Sequence, residues 1–157
     1  VSWIKDGVVT NLAYSRYWAQ KQGVADDKAV PGIDDDFSDR REVAAYEGSP
    51  GVIMAGGQES LEELIKGVKR GVLVTRLWYI REVDPQTVLY TGLTRDGTFY
   101  IENGEIKYAV KNFRFNESPV IMLNNLEALG KPVRANACLI PPMVVRDFTF
   151  SSLSDAV

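Results

Sequence analysis

The sequence predicts an α+β domain built on antiparallel sheet, curved or barrel-like, with about three helices outside it. Three observations carry that prediction. Residues 72–115 hold four apolar, β-branched or aromatic runs, cut by Asp84-Pro85, Arg95-Asp96-Gly97 and Asn103-Gly104. Asn-Gly and Asp-Gly supply the positive φ angles of tight hairpins, so the stretch reads as an antiparallel meander. Ser60-Leu61-Glu62-Glu63 is a capping box that starts one helix. Ser118-Pro119 starts another, with serine as cap and proline at the first helical position, where its missing N–H costs nothing.

Taken in order, residues 1–11 read as a hairpin turning at Asp6-Gly7. Residues 13–22 place Tyr14, Tyr17, Trp18 and Lys21 at spacings of three and four, an amphipathic helix stopped at Gly23. Residues 24–57 are irregular and rich in Asp26, Asp27, Asp34, Asp35, Asp36 and Asp39. An EF-hand needs ligands at alternate positions and a closing glutamate, which this spacing lacks, so the segment reads as a solvated loop before a short strand over 52–55. The helix opened by Ser60 buries Leu61, Leu64, Ile65 and Val68 and ends at Gly71. Residues 72–80 are apolar on both faces, which predicts a central strand covered on both sides. The helix from Ser118 has Val120, Leu123, Leu126 and Leu129 as its stripe and Gly130 as its stop. Residues 140–150 form a last strand with Phe148 and Phe150 turned inward, and residues 151–157 read as a frayed tail.

The chain has 157 residues, enough for one domain with a real core, and its 45% apolar and 25% charged residues are ordinary for a globular protein. A net charge of −3 and a pI near 5.1 argue against a nucleic-acid footprint. No run reaches the roughly 20 apolar residues of a membrane helix. One cysteine excludes an internal disulfide and fits a reducing, cytoplasmic setting. The absence of histidine removes the base that Ser-His-Asp and Cys-His chemistry needs, and with it every His-containing zinc site within this chain.

Beyond periodicity, the ordered motifs GVLVTRLWYIREVDP, TGLTRDGTFYIENGEI and VKNFRFNES resemble the C-terminal domain of the TldD/PmbA family. WIKDGVVTNLAYSRYWAQKQG, GGQESLEELIKGVKRG and IPPMVVRDFTFSS extend the likeness over nearly the whole chain. Proteins of that family are called modulators of DNA gyrase in older naming and metallopeptidases in newer. The resemblance implies a longer protein whose N-terminal half carries an HExxxH zinc helix, cleavage of unfolded peptides, and assembly as a homo- or hetero-oligomer with a family member. Zinc is implied for full-length catalytic members and no cofactor for this chain alone. A start at Val1 rather than Met fits a C-terminal fragment; a short natural protein with its initiator removed is the alternative.

The resemblance also supplies site candidates. Cys138 is a candidate metal ligand, because catalytic relatives draw a cysteine from this domain. Here it lies in NACLIPP rather than in a glycine-rich loop, so a small buried hydrophobe stands beside the zinc reading. That departure leans toward a non-catalytic partner subunit that shapes the substrate channel. Arg40, Arg41 and Tyr14 are candidates for lining the peptide cleft. Arg76 interrupts the most apolar strand and cannot be buried without partners, so it either joins a structural ion pair or anchors peptide carboxylate or backbone. Arg95, Thr91, Thr94 and Asp96 read as turn residues.

Overall fold

The computed structural model describes residues 2–10, 20–24, 51–135 and 138–154. The chain divides into two compact units, Val1–Ile53 with Arg134–Cys138, and Met54–Val133 with Leu139–Val157. In the first, β1 (Ile4–Lys5) and β2 (Val8–Val9) form the expected hairpin. Asp6 and Gly7 turn it at φ of 51° and 76°, and Thr10 N–H donates to Trp3 O at 2.8 Å.

Near the start of the second unit Gly56 and Gly57 pack where no side chain fits: a Cβ on Gly57 would stand 2.2 Å from Leu129 O. That closeness lets Gly57 N–H donate to Gly130 O at 3.0 Å. Helix α1 (Leu61–Gly67) follows with both halves of its capping box made: Glu63 N–H donates to Ser60 Oγ at 3.2 Å, and Ser60 N–H to Glu63 Oε2 at 2.7 Å. Leu64 is its one buried side chain; Leu61, expected inside, is exposed.

Residues 72–80 are not one central strand. They belong to β3 (Arg70–Val74) and β4 (Leu77–Asp84), which lie in different sheets and at an edge of each. β3 pairs with β6 (Thr98–Glu102), and β6 with β7 (Glu105–Ala109). β4 pairs with β5 (Leu89–Thr94), β5 with β8 (Asn112–Glu117), and β8 with β13 (Phe150–Ser154). Three chain crossings join the sheets, at 75–76, 95–97 and 110–111. The chain thus passes repeatedly between the two sheets at a shared corner. Of the three turn signals, Asn103-Gly104 closes a true hairpin at φ of 51° and 78°, and Asp84-Pro85 opens the β4–β5 connection. Arg95-Asp96-Gly97 instead carries the chain from one sheet to the other.

The remainder corrects the sequence reading further. Helix α2 spans only Pro119–Asn124, and Leu126 and Leu129 leave it for β9 (Leu126–Leu129). Its Val120, Ile121 and Leu123 are exposed. β10 (Val133–Ala135) and β11 (Cys138–Ile140) come next. Residues 140–150 are split by Pro141-Pro142 and by Asp147 at φ 54° into the end of β11, β12 (Met143–Val145) and the start of β13. The expected frayed tail is strand as far as Ser154, because β8 offers an open edge. Phe148 and Phe150 do turn inward, their rings tilted against those of Phe115 and Phe113 respectively. The fold is therefore α+β and mostly antiparallel, but its sheets do not close into a barrel. Two α-helices of the expected three stand among the described residues; the other falls on 13–22, largely outside them.

Candidate functional site

Arg76 sits at the corner between the sheets. Thr75 N–H and Oγ1 both donate to Gly97 O, at 3.1 and 2.9 Å, and Arg95 N–H donates to Arg76 O at 3.0 Å. Asp96 and Gly97 adopt φ of 61° and 136°, the second a geometry that favours glycine, and a Cβ there would meet the Phe99 ring at 2.8 Å. This crossover holds the Asp96 carboxylate against Arg76 Nη1 at 2.6 Å, with Arg95 Nε at 3.6 Å from the other oxygen. Both guanidiniums attend the same indole: Arg76 lies 4.4 Å and Arg95 5.4 Å from the Trp78 ring centre. The Arg76 and Asp96 side chains are each 49% exposed, so the arginine is paired yet open to solvent.

Polar groups also fix the corner from inside. Thr94 is wholly buried; its hydroxyl accepts from Phe113 N–H at 2.9 Å and donates to Asn112 Oδ1 at 3.2 Å. The Thr98 hydroxyl lies 2.9 Å from Thr94 Oγ1 and 3.1 Å from Asn112 Oδ1. Thr94 and Asp96 are thus parts of the junction rather than simple turn residues. Glu117, which sequence reading passed over, is buried and accepts backbone N–H groups from Ser118 and Thr149, each at 2.9 Å. Its signal was weak: a lone carboxylate at the end of an alternating strand, followed by a serine-proline cap.

β3 also walls an apolar cleft of about 770 Å³. α1, β3, β12 and the Phe148–Phe150 segment wall it, with Met122 and Glu127 contributing from α2 and β9. Leu77 lines it, next in sequence to Arg76. Lys69, Arg70, Arg146 and Asp147 add charge, the last two 3.5 Å apart. Sequence reading missed the cleft because its walls come from residues as far apart as Leu61 and Phe150, in stretches each of which alone reads as core.

Cys138 opens β11, half-buried. Among the described residues no group of three or more His, Cys, Asp or Glu side chains is placed to hold a metal, and the chain brings no imidazole. These residues do not by themselves fit a zinc centre. Arg40, Arg41 and Tyr14 lie outside the described residues, so of the peptide-site candidates only Arg76 has a geometry. No helix among the described residues is long and apolar enough to cross a membrane.

Comparison with known proteins adds a family. Residues 1–152 match the PmbA/TldA metallopeptidase C-terminal domain. The fold resembles a Bacteroides thetaiotaomicron protein described as a modulator of DNA gyrase, with TM-score 0.71 and 25% identity over 96% of this chain and 30% of the other. It also resembles TldE from Thermococcus kodakarensis, with TM-score 0.69 and 19% identity over 96% of this chain and 33% of the other. A Thermotoga maritima protein, again described as a modulator of DNA gyrase, gives TM-score 0.69 and 19% identity over 94% of this chain and 32% of the other. The chain therefore spans about a third of the length of these solved relatives. No curated protein matches the sequence.

Proposed function

The chain belongs to the PmbA/TldA metallopeptidase family as its C-terminal domain, and on that premise we propose that it works in peptide processing within a TldD/PmbA-type protein. The family match carries this reading. In it, the zinc-bearing part precedes these residues, and this domain receives the peptide. The cleft beside β3 takes apolar side chains, while Arg76, held open by Asp96 and Trp78, donates to peptide carbonyls or a carboxylate. Arg40, Arg41 and Tyr14 remain peptide-contacting candidates on the family resemblance alone. Association with a second copy or a family member covers the apolar surface that this domain exposes. Alone, the 157 residues neither cleave peptide nor hold zinc at stoichiometry.

A second reading makes the chain part of a non-catalytic partner that shapes the channel of a catalytic homologue. The position of Cys138 in NACLIPP, beside the proline pair, favours it. Purified full-length protein separates the two. Chelator-sensitive cleavage of an unfolded peptide by that protein alone supports the catalytic branch. Cleavage that appears only on adding a catalytic homologue supports the partner branch. No cleavage in either case, with no peptide binding, overturns the proposal.

A further inference from the structure

The four-stranded sheet has one face turned to solvent, and that face is basic. Directly opposed residues of antiparallel strands share a face. The register sets Trp78 opposite Leu93, Leu93 opposite Arg114 and Arg114 opposite Ser152. Arg81 stands opposite Thr91, two residues from Leu93 and hence on the same side. Side-chain contacts agree: Arg114 Nη1 reaches Thr91 Oγ1 at 3.4 Å, and the Arg81 guanidinium lies 4.8 Å from the Tyr79 ring centre. Arg76 and Arg95 attend Trp78 on this face and share the one nearby carboxylate, Asp96. Glu82 and Glu117 belong to the opposite face, in register with Tyr90. No carboxylate among the described residues pairs with Arg81 or Arg114, both of which are exposed. A chain of net charge −3 thus carries, among the described residues, a surface of the opposite sign, four arginines against one aspartate.

We infer that this face docks an acidic, extended segment of a partner polypeptide. Guanidinium forks take carboxylates two hydrogen bonds at a time. The Tyr79 ring holds the Arg81 guanidinium without consuming its N–H donors. Arg81 and Arg114 stand two strands apart and two residues out of register, about 12 Å between their backbones. An extended polyproline-II chain brings every third residue to one side at about 9 Å, a spacing that the two long arginine side chains span by leaning toward each other. A nucleic-acid strand fits less well, since phosphate binding calls for a continuous basic track and this patch has a carboxylate, Asp96, set between two of its arginines. Arg76 is shared with the proposed peptide path, so the test rests on Arg81 and Arg114, which that reading does not use.

Fluorescence anisotropy of the full chain tests it, with a labelled peptide bearing Glu at every third position, its Gln counterpart and a single-stranded oligonucleotide. The Glu peptide is expected to bind on the order of tenfold tighter than the Gln peptide at low salt, with affinity falling as salt screens the contact. Arg81→Gln with Arg114→Gln, both exposed and so compatible with an unchanged circular dichroism spectrum, is expected to lose about tenfold. Equal affinity for the Glu and Gln peptides, no binding of the Glu peptide, undiminished affinity in the variant, or tighter binding of the oligonucleotide would each overturn it.

Discussion

Two side chains show how differently a charge behaves at the rim and inside. Glu117 is buried and satisfies two backbone N–H groups, one of them across the chain at Thr149. Glu117→Ala leaves both donors without acceptors, and we expect it to destabilise by about 2–3 kcal/mol, read by urea denaturation. Arg76 is the opposite case. Paired with a carboxylate inside a doubly covered strand it would have been costly to remove, but the strand is an edge and the ion pair with Asp96 is half exposed. Arg76→Leu should therefore cost less than about 1 kcal/mol of stability. In the full-length protein the same change should raise KM for peptide while leaving kcat nearly intact, if the arginine binds peptide as proposed. That Arg76 needed hydrogen-bonded partners or an opening onto a cleft was legible, since a guanidinium keeps its charge. Which carboxylate was not, because Asp96 lies twenty residues on and reaches it only through the crossover between sheets.

Among the elements, those with local causes were the readable ones. The capping box of α1 and the Asp6-Gly7 and Asn103-Gly104 hairpins depend on neighbours within four residues, and all three form. The β6–β7 tip then docks on the end of α1: Asn103 and Gly104 N–H groups donate to Lys69 O and Val68 O, at 2.8 and 2.9 Å. Gly104 has φ 78°, and a Cβ there would lie 2.7 Å from Lys66 O. Gly104→Ala is expected to cost at least about 1–2 kcal/mol, visible as a lowered Tm, because strain and a backbone clash coincide. In the β4–β5 turn, Asp84 accepts from the Thr87 hydroxyl at 2.7 Å and Gln86 N–H at 3.0 Å, chiefly the former holding its carboxyl below the usual 3.8. A depressed carboxylate contributes its stability above the unfolded value and loses it as pH falls through the folded one. An NMR titration should show Asp84 titrating below 3.8, and Asp84→Asn should lessen the loss of stability below that pH. The α2 region failed as a sequence reading for a physical reason: Leu126 and Leu129 fit a helical stripe, yet pairing with β12 gives their backbone a sheet partner instead.

For the second unit as a whole, the sheet class was legible from turn chemistry and the closure was not. Hydrophobic alternation gives a strand its two faces but does not say where a long run bends, and the polar pair Thr75-Arg76 is where this one changes sheets. The corner also orders folding in time. Val74 and Thr98 pair across β3 and β6, with the whole β4–β5 hairpin between them. Loop-closure entropy makes that pairing slow until the hairpin has drawn its ends together. β4–β5 should therefore form early and β13, the last strand to dock, late. Substitutions in the Asp84–Thr87 turn should slow refolding in stopped-flow experiments. Loss of the Phe150 ring should chiefly speed unfolding, a split that places the nucleus of this unit in its one long hairpin.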